Sequence, residues 1–384
     1  MDTTRALATA APWDLPDRDQ VAATPVGLYL HVPFCARRCG YCAFNTATLA
    51  DPGGTEAMAT TERYVAAALA EVDLAASALA GVAPPLTSVF VGGGTPTMLS
   101  VGQLQRILAR IRERFEVPAD LEVTVEANPD GLAPGQLAGL RDAGVTRMSF
   151  GMQSVRRRVL ELLDRTHDPE RSLAAVAEAR AAGFDHVSLD LIYGTPGETA
   201  QDWRATLDAV LSTDVDHVSA YALGIEPGTK LGARVRHGEL PAPDEDEAAD
   251  RYLVADRVLG AGGFDWYEIS NWSRTPEGRC RHNLLYWRNH NWWGVGPGAH
   301  SHLSGVRWWN VDPVEQWGGA QRGGVSSVGG HEVLTAGQRH LEDLMLGVRL
   351  AEGLPLDAHG DRRLVLTPRG RLLADTVVAR LLEA

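Results

Sequence analysis

From Gly27 onward the chain alternates short runs rich in β-branched and aromatic residues with longer Ala/Leu-rich stretches whose apolar positions recur at helical spacing. The runs read as strands are GLYLHV from Gly27, SVFVGG from Ser88, LEVTVEAN from Leu121, RMSFGMQ from Arg147, HVSLDLIYG from His186 and HVSAYALG from His217. Between them, helices are predicted over 62–79, 101–115, 134–142, 155–163, 169–182 and 200–211. Six βα units in one direction predict an α/β fold, either an open, partial (β/α)6 barrel or a doubly wound sheet, that gathers its ligand groups where the strands end. The polar clusters GGGTP, EAN, GMQ and IYGTPGE follow directly on predicted strands.

Outside that pattern the chain divides further. Residues 1–25 lack apolar periodicity and read as an N-terminal tail, ahead of the barrel at 26–240. A helix over 244–259 opens the next segment, 241–330, and its acidic start Asp244-Glu245-Asp246-Glu247 suits a helix N-terminus; a partner-docking patch is the other reading. Within it, residues 263–310 carry seven of the ten tryptophans together with His282, His290, His300 and His302, and read as a separate module or a lid. Residues 331–384 read as a small helical C-terminal domain with a short wing at LVLT.

A chain of 384 residues can bury a sizeable core. Its net charge of −13 argues against a phosphate-neutralising surface, and so against nucleic acid as a partner. No apolar run reaches the roughly 18 residues of a membrane span, and the N-terminus lacks the pattern of a signal peptide; a cytoplasmic protein is expected. Of four cysteines, three fall within eight residues, too close for a disulfide framework and suited to metal ligation in a reducing compartment.

Those three, Cys35, Cys39 and Cys42, sit on a loop just after the first strand. A structural zinc site wants four closed ligands and an ordinary cubane four cysteines, so three thiolates leave one iron open to an exchangeable ligand. Zinc completed by Cys280 is the competing reading. The segment HVPFCARRCGYCAFNT resembles the cluster loop of radical S-adenosylmethionine (SAM) proteins, in particular the branch related to anaerobic coproporphyrinogen III oxidase, and the resemblance runs over nearly the whole chain from Gly27. It implies a radical SAM barrel holding a [4Fe–4S] cluster on the three cysteines, with SAM chelating the open iron.

The resemblance also implies a SAM pocket. Tyr29 and Tyr41 match residues that pack on SAM. Gly93, Gly94 and Thr95 match a glycine-rich turn whose backbone reaches the methionine amino group. Glu126, Gln153, Arg165 and Asp190 complete the set; carboxylates can accept from ribose hydroxyls or an amino group, and an arginine can pair with a carboxylate. For each, a structural hydrogen bond is the competing role.

Two features separate the branch's members. Where the oxidases carry a fourth cysteine, this chain has Phe44, and His282-Asn283-Leu284-Leu285-Tyr286-Trp287 fits the HNxxYW signature of the HemW-type haem chaperones. His282 or Tyr286 could ligate haem iron, Asn283 and Trp287 belong to the same signature, Trp287, Trp292 and Trp293 could stack on the macrocycle, and Arg281 or Arg288 could pair with propionates. A packed, hydrogen-bonded core is the bland alternative for so His- and Trp-rich a segment. The resemblance implies a haem chaperone rather than a turnover enzyme, delivering haem to an apo-haemoprotein, with respiratory acceptors, peripheral membrane contact and a homodimer open. In this family a reduced cluster can cleave SAM to a 5′-deoxyadenosyl radical; whether cleavage belongs to haem transfer stays open. The alternatives are oxygen-independent coproporphyrinogen III oxidase, another radical SAM enzyme, and a purely structural cluster protein.

Overall fold

A computed structural model describes residues 18–356 and 361–383. The predicted N-terminal tail lies largely outside the described residues; of it, Arg18–Ala22 forms a short helix. All six predicted strands are present: β1 (Val26–Val32), β2 (Leu86–Gly93), β3 (Glu122–Ala127), β4 (Arg147–Gln153), β5 (His186–Tyr193) and β6 (His217–Ala222). They pair in parallel in chain order. Their side chains are buried nearly throughout, as parallel strands covered on both faces require.

The helices between them pack their apolar faces on the sheet. Helix Val101–Arg114 buries Leu104, Ile107, Leu108 and Ile111, a single stripe at helical spacing, and starts with a capping box between Ser100 and Gln103. Helix Ala200–Leu211 starts the same way, on Thr199 and Asp202. The first long helix begins at Thr55 rather than Glu62. The acidic run is a helix start as expected, with Asp244 accepting from the Glu247 backbone N–H ahead of helix Glu245–Ala261.

The tryptophan-rich segment is where the structure departs from the sequence-based expectation. It is neither a separate module nor a lid, because it extends the central sheet at both ends. Strands β7 (Asp265–Glu268) and β8 (Asn271–Ser273) add to one side, β8 lying antiparallel to β6. Strand β9 (Asn291–Val295) pairs in parallel with β1, Val26 opposite Asn291 and Leu30 opposite Val295. Strands β10 (His300–Leu303), β11 (Val306–Asn310) and β12 (Val328–Val333) follow antiparallel beyond it. The result is one open sheet of twelve strands, ordered β12-β11-β10-β9-β1-β2-β3-β4-β5-β6-β8-β7.

A buried carboxylate locks the added strands to the first helix. Glu71, on helix Thr55–Leu79, accepts from the Gly296 backbone N–H at 2.8 Å, Asn310 Nδ2 at 2.7 Å and Trp317 Nε1 at 2.9 Å. Burial pushes its carboxyl up to about 7, and the three donors oppose that rise.

The C-terminal residues are mainly helical. Helices Ala336–Gly347, Pro368–Leu372 and Ala374–Glu383 surround their own apolar cluster of Val348, Leu354, Leu366, Ala374 and Val378. The wing is the two-residue pairing of Leu354–Pro355 with Arg363–Leu364. It docks on the larger body through a bidentate Arg288–Glu352 pair and through Arg371, which bonds Asp256 and lies 3.5 Å over the Trp266 ring.

Candidate functional site

The cysteine loop leaves the end of β1 and is tied on three sides. Phe34–Cys35 pairs in parallel with Ala47–Thr48. The backbone N–H groups of Gly94 and Thr95, just past β2, donate to the carbonyls of Val32 and Phe34, each at 2.8 Å. Asn45 Nδ2 donates to the carbonyls of Pro297 and Asp312, so the segment beyond β9 holds the loop as well.

Cys35 is buried, and Cys39 and Cys42 are half-buried. All three line one cavity of ≈ 570 Å³. Arg165 Nη1 lies 3.6 Å from Cys39 Sγ, and Thr95 Oγ1 lies 3.8 Å from Cys35 Sγ. Burial raises the Cys35 thiol to about 11 and pushes Cys42 up too, so a metal centre must displace those protons on loading.

The donor set distinguishes the two metal readings. Among the described residues no three His, Cys, Asp or Glu side chains converge where one ion could sit. A cubane takes each thiolate on a different iron, so its cysteines need not converge, and three thiols around one cavity fit it. Cys280 cannot complete a zinc site. It lines the deep end of the same cavity, with its Sγ 3.6 Å from Glu122 at the start of β3, whereas the cluster loop packs beyond the strand ends, roughly 16 Å away by strand rise.

Eight of the nine residues expected around SAM line this same cavity, brought there by five successive strands and the loops after them. Gly93 ends β2 and Gly94 and Thr95 follow it, Glu126 comes from β3, Gln153 ends β4, and Asp190 lies on β5. Gln153 has φ +63°, in the left-handed region, beside a register irregularity between β4 and β5. Such a bulge re-aims a side chain at a strand end. Arg165 is anchored by Nη2 to the Gly151 carbonyl at 2.6 Å, leaving Nη1 toward the thiols. Tyr41 packs against the apolar cluster of Val159, Leu163, Ile192, Leu223 and Leu231.

Two carboxylates share the cavity. Asp190 accepts from Ser149 Oγ at 2.8 and 2.9 Å. Glu126 accepts from the Gly93 N–H at 3.3 Å, and burial, reinforced by the charge of Asp190, raises it to about 8.

The glycine turn also carries the cluster loop. The Gly93 N–H is engaged by Glu126 and those of Gly94 and Thr95 by the cluster loop, so the turn's donors are spent on the protein, and an amino group would be received by its carbonyls. A Cβ on Gly94 would lie 2.7 Å from the Phe34 carbonyl oxygen and 3.0 Å from Cys35 Sγ. Gly94 is small because the cluster loop rests on it.

Tyr29 departs from the expected set. It lines a second cavity of ≈ 600 Å³, together with His31, Tyr286, Trp292 and His300. Tyr29 stacks on Phe90, which faces the first cavity, at 6.4 Å between centroids, and Ala43 and Phe44 line both. The two cavities are therefore neighbours across a thin aromatic wall.

The structure scatters the HNxxYW residues. His282 is buried with both ring nitrogens bonded, Nδ1 with Ser88 Oγ at 2.8 Å and Nε2 with Tyr286 Oη at 2.9 Å, and burial lowers it to about 3. Ligating iron would break one of those bonds, so His282 serves the core. Asn283 lines the cysteine cavity, Tyr286 the second one, and Trp287 bonds the buried Glu268. Trp293 packs edge-on against Trp308 in the core, and Arg281 and Arg288 are paired with Asp120 and Glu352. Of the expected stacking residues, Trp292 lines the second cavity, and Trp287 and Trp293 line neither of the two.

Sequence reasoning missed Ser149, which holds Asp190, and Phe90, which backs Tyr29. Both lie on predicted strands, and alternation along a strand could have placed each on a face. It also missed Arg147 and Thr124, which line the deep end of the cysteine cavity with Nη1 and Oγ1 unbonded among the described residues.

Residues 29–210 match the radical SAM superfamily. The chain is 50% identical to the protein named heme chaperone HemW of Mycobacterium tuberculosis, over 97% of this chain and 98% of that one. It is 35% identical to the protein of the same name from Bacillus subtilis, over 85% and 84%. Among solved structures, coproporphyrinogen III oxidase (HemN) from Escherichia coli superposes with a TM-score of 0.79 at 22% identity, covering 98% of this chain and 91% of that one, a likeness of fold. With three thiols and the polar strand ends around one cavity, and identity of this extent along its whole length, the chain belongs to the HemW family of the radical SAM superfamily.

Proposed function

We propose that the protein is a haem chaperone: it binds haem beside a SAM-ligated [4Fe–4S] cluster and hands the haem to an acceptor haemoprotein. The observation that carries this reading is the pair of cavities across one wall. One holds the three loop thiols, with Cys280 at its deep end, and carboxylate, amide and guanidinium groups suited to SAM; the other is faced with aromatic rings and imidazole. The HemW name of the relatives agrees with it.

In this reading Cys35, Cys39 and Cys42 hold the cluster. When bound, the cluster supplies a low-potential electron and SAM a sulfonium able to accept it. Arg165 sets a positive charge beside Cys39 and offers its Nη1 to a ligand carboxylate. Glu126 and Asp190 accept from a ligand ammonium or hydroxyls, with Ser149 fixing Asp190. Phe44, 66% exposed on the lip between the cavities, supplies an apolar contact where the oxidases of the branch carry a thiol. The finer partners belong to the same proposal: a respiratory haemoprotein as acceptor, self-association, and peripheral contact with a membrane. No helix among the described residues is long and apolar enough to cross one.

The test uses the full chain with its cluster reconstituted anaerobically. Given haem, it should bind about one equivalent and pass it to an apo-haemoprotein, read by absorbance of the acceptor. Given coproporphyrinogen III, SAM and a reductant, it should form no protoporphyrinogen. Multiple turnovers abolished by Cys39→Ala would establish an oxidase instead.

Glu126 makes SAM binding pH-dependent. With its carboxyl raised to about 8, Glu126 is largely protonated at neutral pH in the free protein, and a ligand that needs the ionised form must expel that proton. SAM affinity should therefore rise with pH below about 8, by at most about tenfold per unit, and level off above it. Isothermal titration of wild type and Glu126→Gln across this range checks it; the variant should bind more weakly and lose the wild-type slope.

A further inference from the structure

We infer that haem occupies the second cavity with the His300 imidazole as its iron ligand. The inference rests on the haem-chaperone reading and names the site within it.

Imidazole availability selects His300. His31, on the same cavity, has both ring nitrogens engaged, Nδ1 with Tyr29 Oη at 3.0 Å and Nε2 with the Asn45 carbonyl at 2.8 Å. His282 is tied to Ser88 and Tyr286. His302 bonds the His290 carbonyl at 3.0 Å and accepts from the Gly305 N–H at 2.8 Å. The ring of His300 lines the cavity, is exposed, and makes no hydrogen bond among the described residues.

Its position is nonetheless fixed. His300 starts β10, opposite Trp309, whose indole stacks on the imidazole at 5.6 Å and 24°. The His300 carbonyl accepts from Trp292 Nε1 at 3.0 Å. A neutral imidazole on a rigid strand end, with both nitrogens unspent, is what a metal porphyrin requires of an axial ligand.

One side of the cavity suits a flat apolar ring, while Asn45, Thr46 and Asp312 make the other polar. Trp292 meets Tyr286 edge-on at 4.7 Å and 86°, Tyr29 lies alongside, and Phe44 stands on the rim. The cavity's ≈ 600 Å³ falls within the range of small-molecule sites, about 300–1,000 Å³. Arg38 is the guanidinium on its lining and Asp312 an opposing carboxylate, so the propionates belong at Arg38 or in solvent. Seated there, haem is separated from the cysteine cavity only by the wall that Ala43 and Phe44 share.

The experiment titrates ferric haem into the full chain, with electron paramagnetic resonance and resonance Raman spectra of the bound haem. Wild type should give an imidazole-ligated spectrum. His300→Ala should lose that signature and weaken binding by about tenfold or more. His300→Cys should replace it with a thiolate signature, a gain that only a folded site can produce. His290→Ala, whose ring does not line the cavity, should match wild type. Bound haem with the wild-type spectrum in His300→Ala, or without a thiolate signature in His300→Cys, would overturn the assignment while leaving the chaperone reading intact. Failure of wild type to bind haem would overturn both.

Discussion

Cys39→Ala is expected to yield a protein with almost no cluster, colourless after anaerobic reconstitution, and Cys35→Ala and Cys42→Ala should do the same. Three thiolates are the minimum that leaves a single iron open, and none has a substitute. Cys280, the remaining cysteine, is held against Glu122 at the opposite end of the strands, and burial pushes its thiol far up. Iron and sulfide content per chain, with the visible spectrum, checks the prediction. A single-Ala variant retaining the wild-type iron content would show that the loop is not the cluster site. The fold should survive, since the loop is tied by backbone bonds and by Asn45 rather than by its thiols.

Gly94→Ala should be nearly as damaging, although it removes no ligand. The added methyl would sit 2.7 Å from a backbone oxygen and 3.0 Å from Cys35 Sγ and the Pro33 carbonyl carbon. A backbone contact cannot be relieved by turning a side chain, so the loop must lift from the β2 turn. That would break the bonds from the Gly94 and Thr95 N–H groups. We expect most of the cluster to be lost, and SAM binding with it. Gly102→Ala is the matched control: it lies in a helix with open space around the new methyl, and should keep the cluster and gain up to about 1 kcal/mol in urea unfolding. Equal cluster content in the two variants would show that the contact is not needed.

The parts legible in the sequence were those governed by local pattern or by close spacing. Parallel strands buried on both faces announce themselves as short apolar runs, capping residues mark helix starts, and three cysteines within one loop declare a metal centre. The acidic residues at 244–247 were readable for the same reason. Pairing over long separations was not. Nothing in Asn291–Val295 says that it lies beside β1, because register is set by packing against a strand most of the chain away. That hidden pairing explains why the tryptophan-rich segment reads as a separate module, and also why Tyr29 faces a second cavity: β9 and its neighbours build that cavity's far side. His282 illustrates a further limit, since a motif histidine reads alike whether its nitrogens are free or spent. Ser88, which takes one of them, lies on another strand. His300 was visible among the segment's histidines, and only the hydrogen-bond partners of the others single it out.

The pairing of β1 with β9 also bears on the order of events during synthesis. Strand β1 and the cysteines are made early, but Asn291, Pro297 and Asp312 come late. Until then β1 keeps one open edge, a template for mispairing with other nascent strands. Contacts of such separation close slowly. The cysteine loop gains the anchors on Pro297 and Asp312 only after more than 250 further residues have been made, so its thiols exist long before the site that frames them is complete.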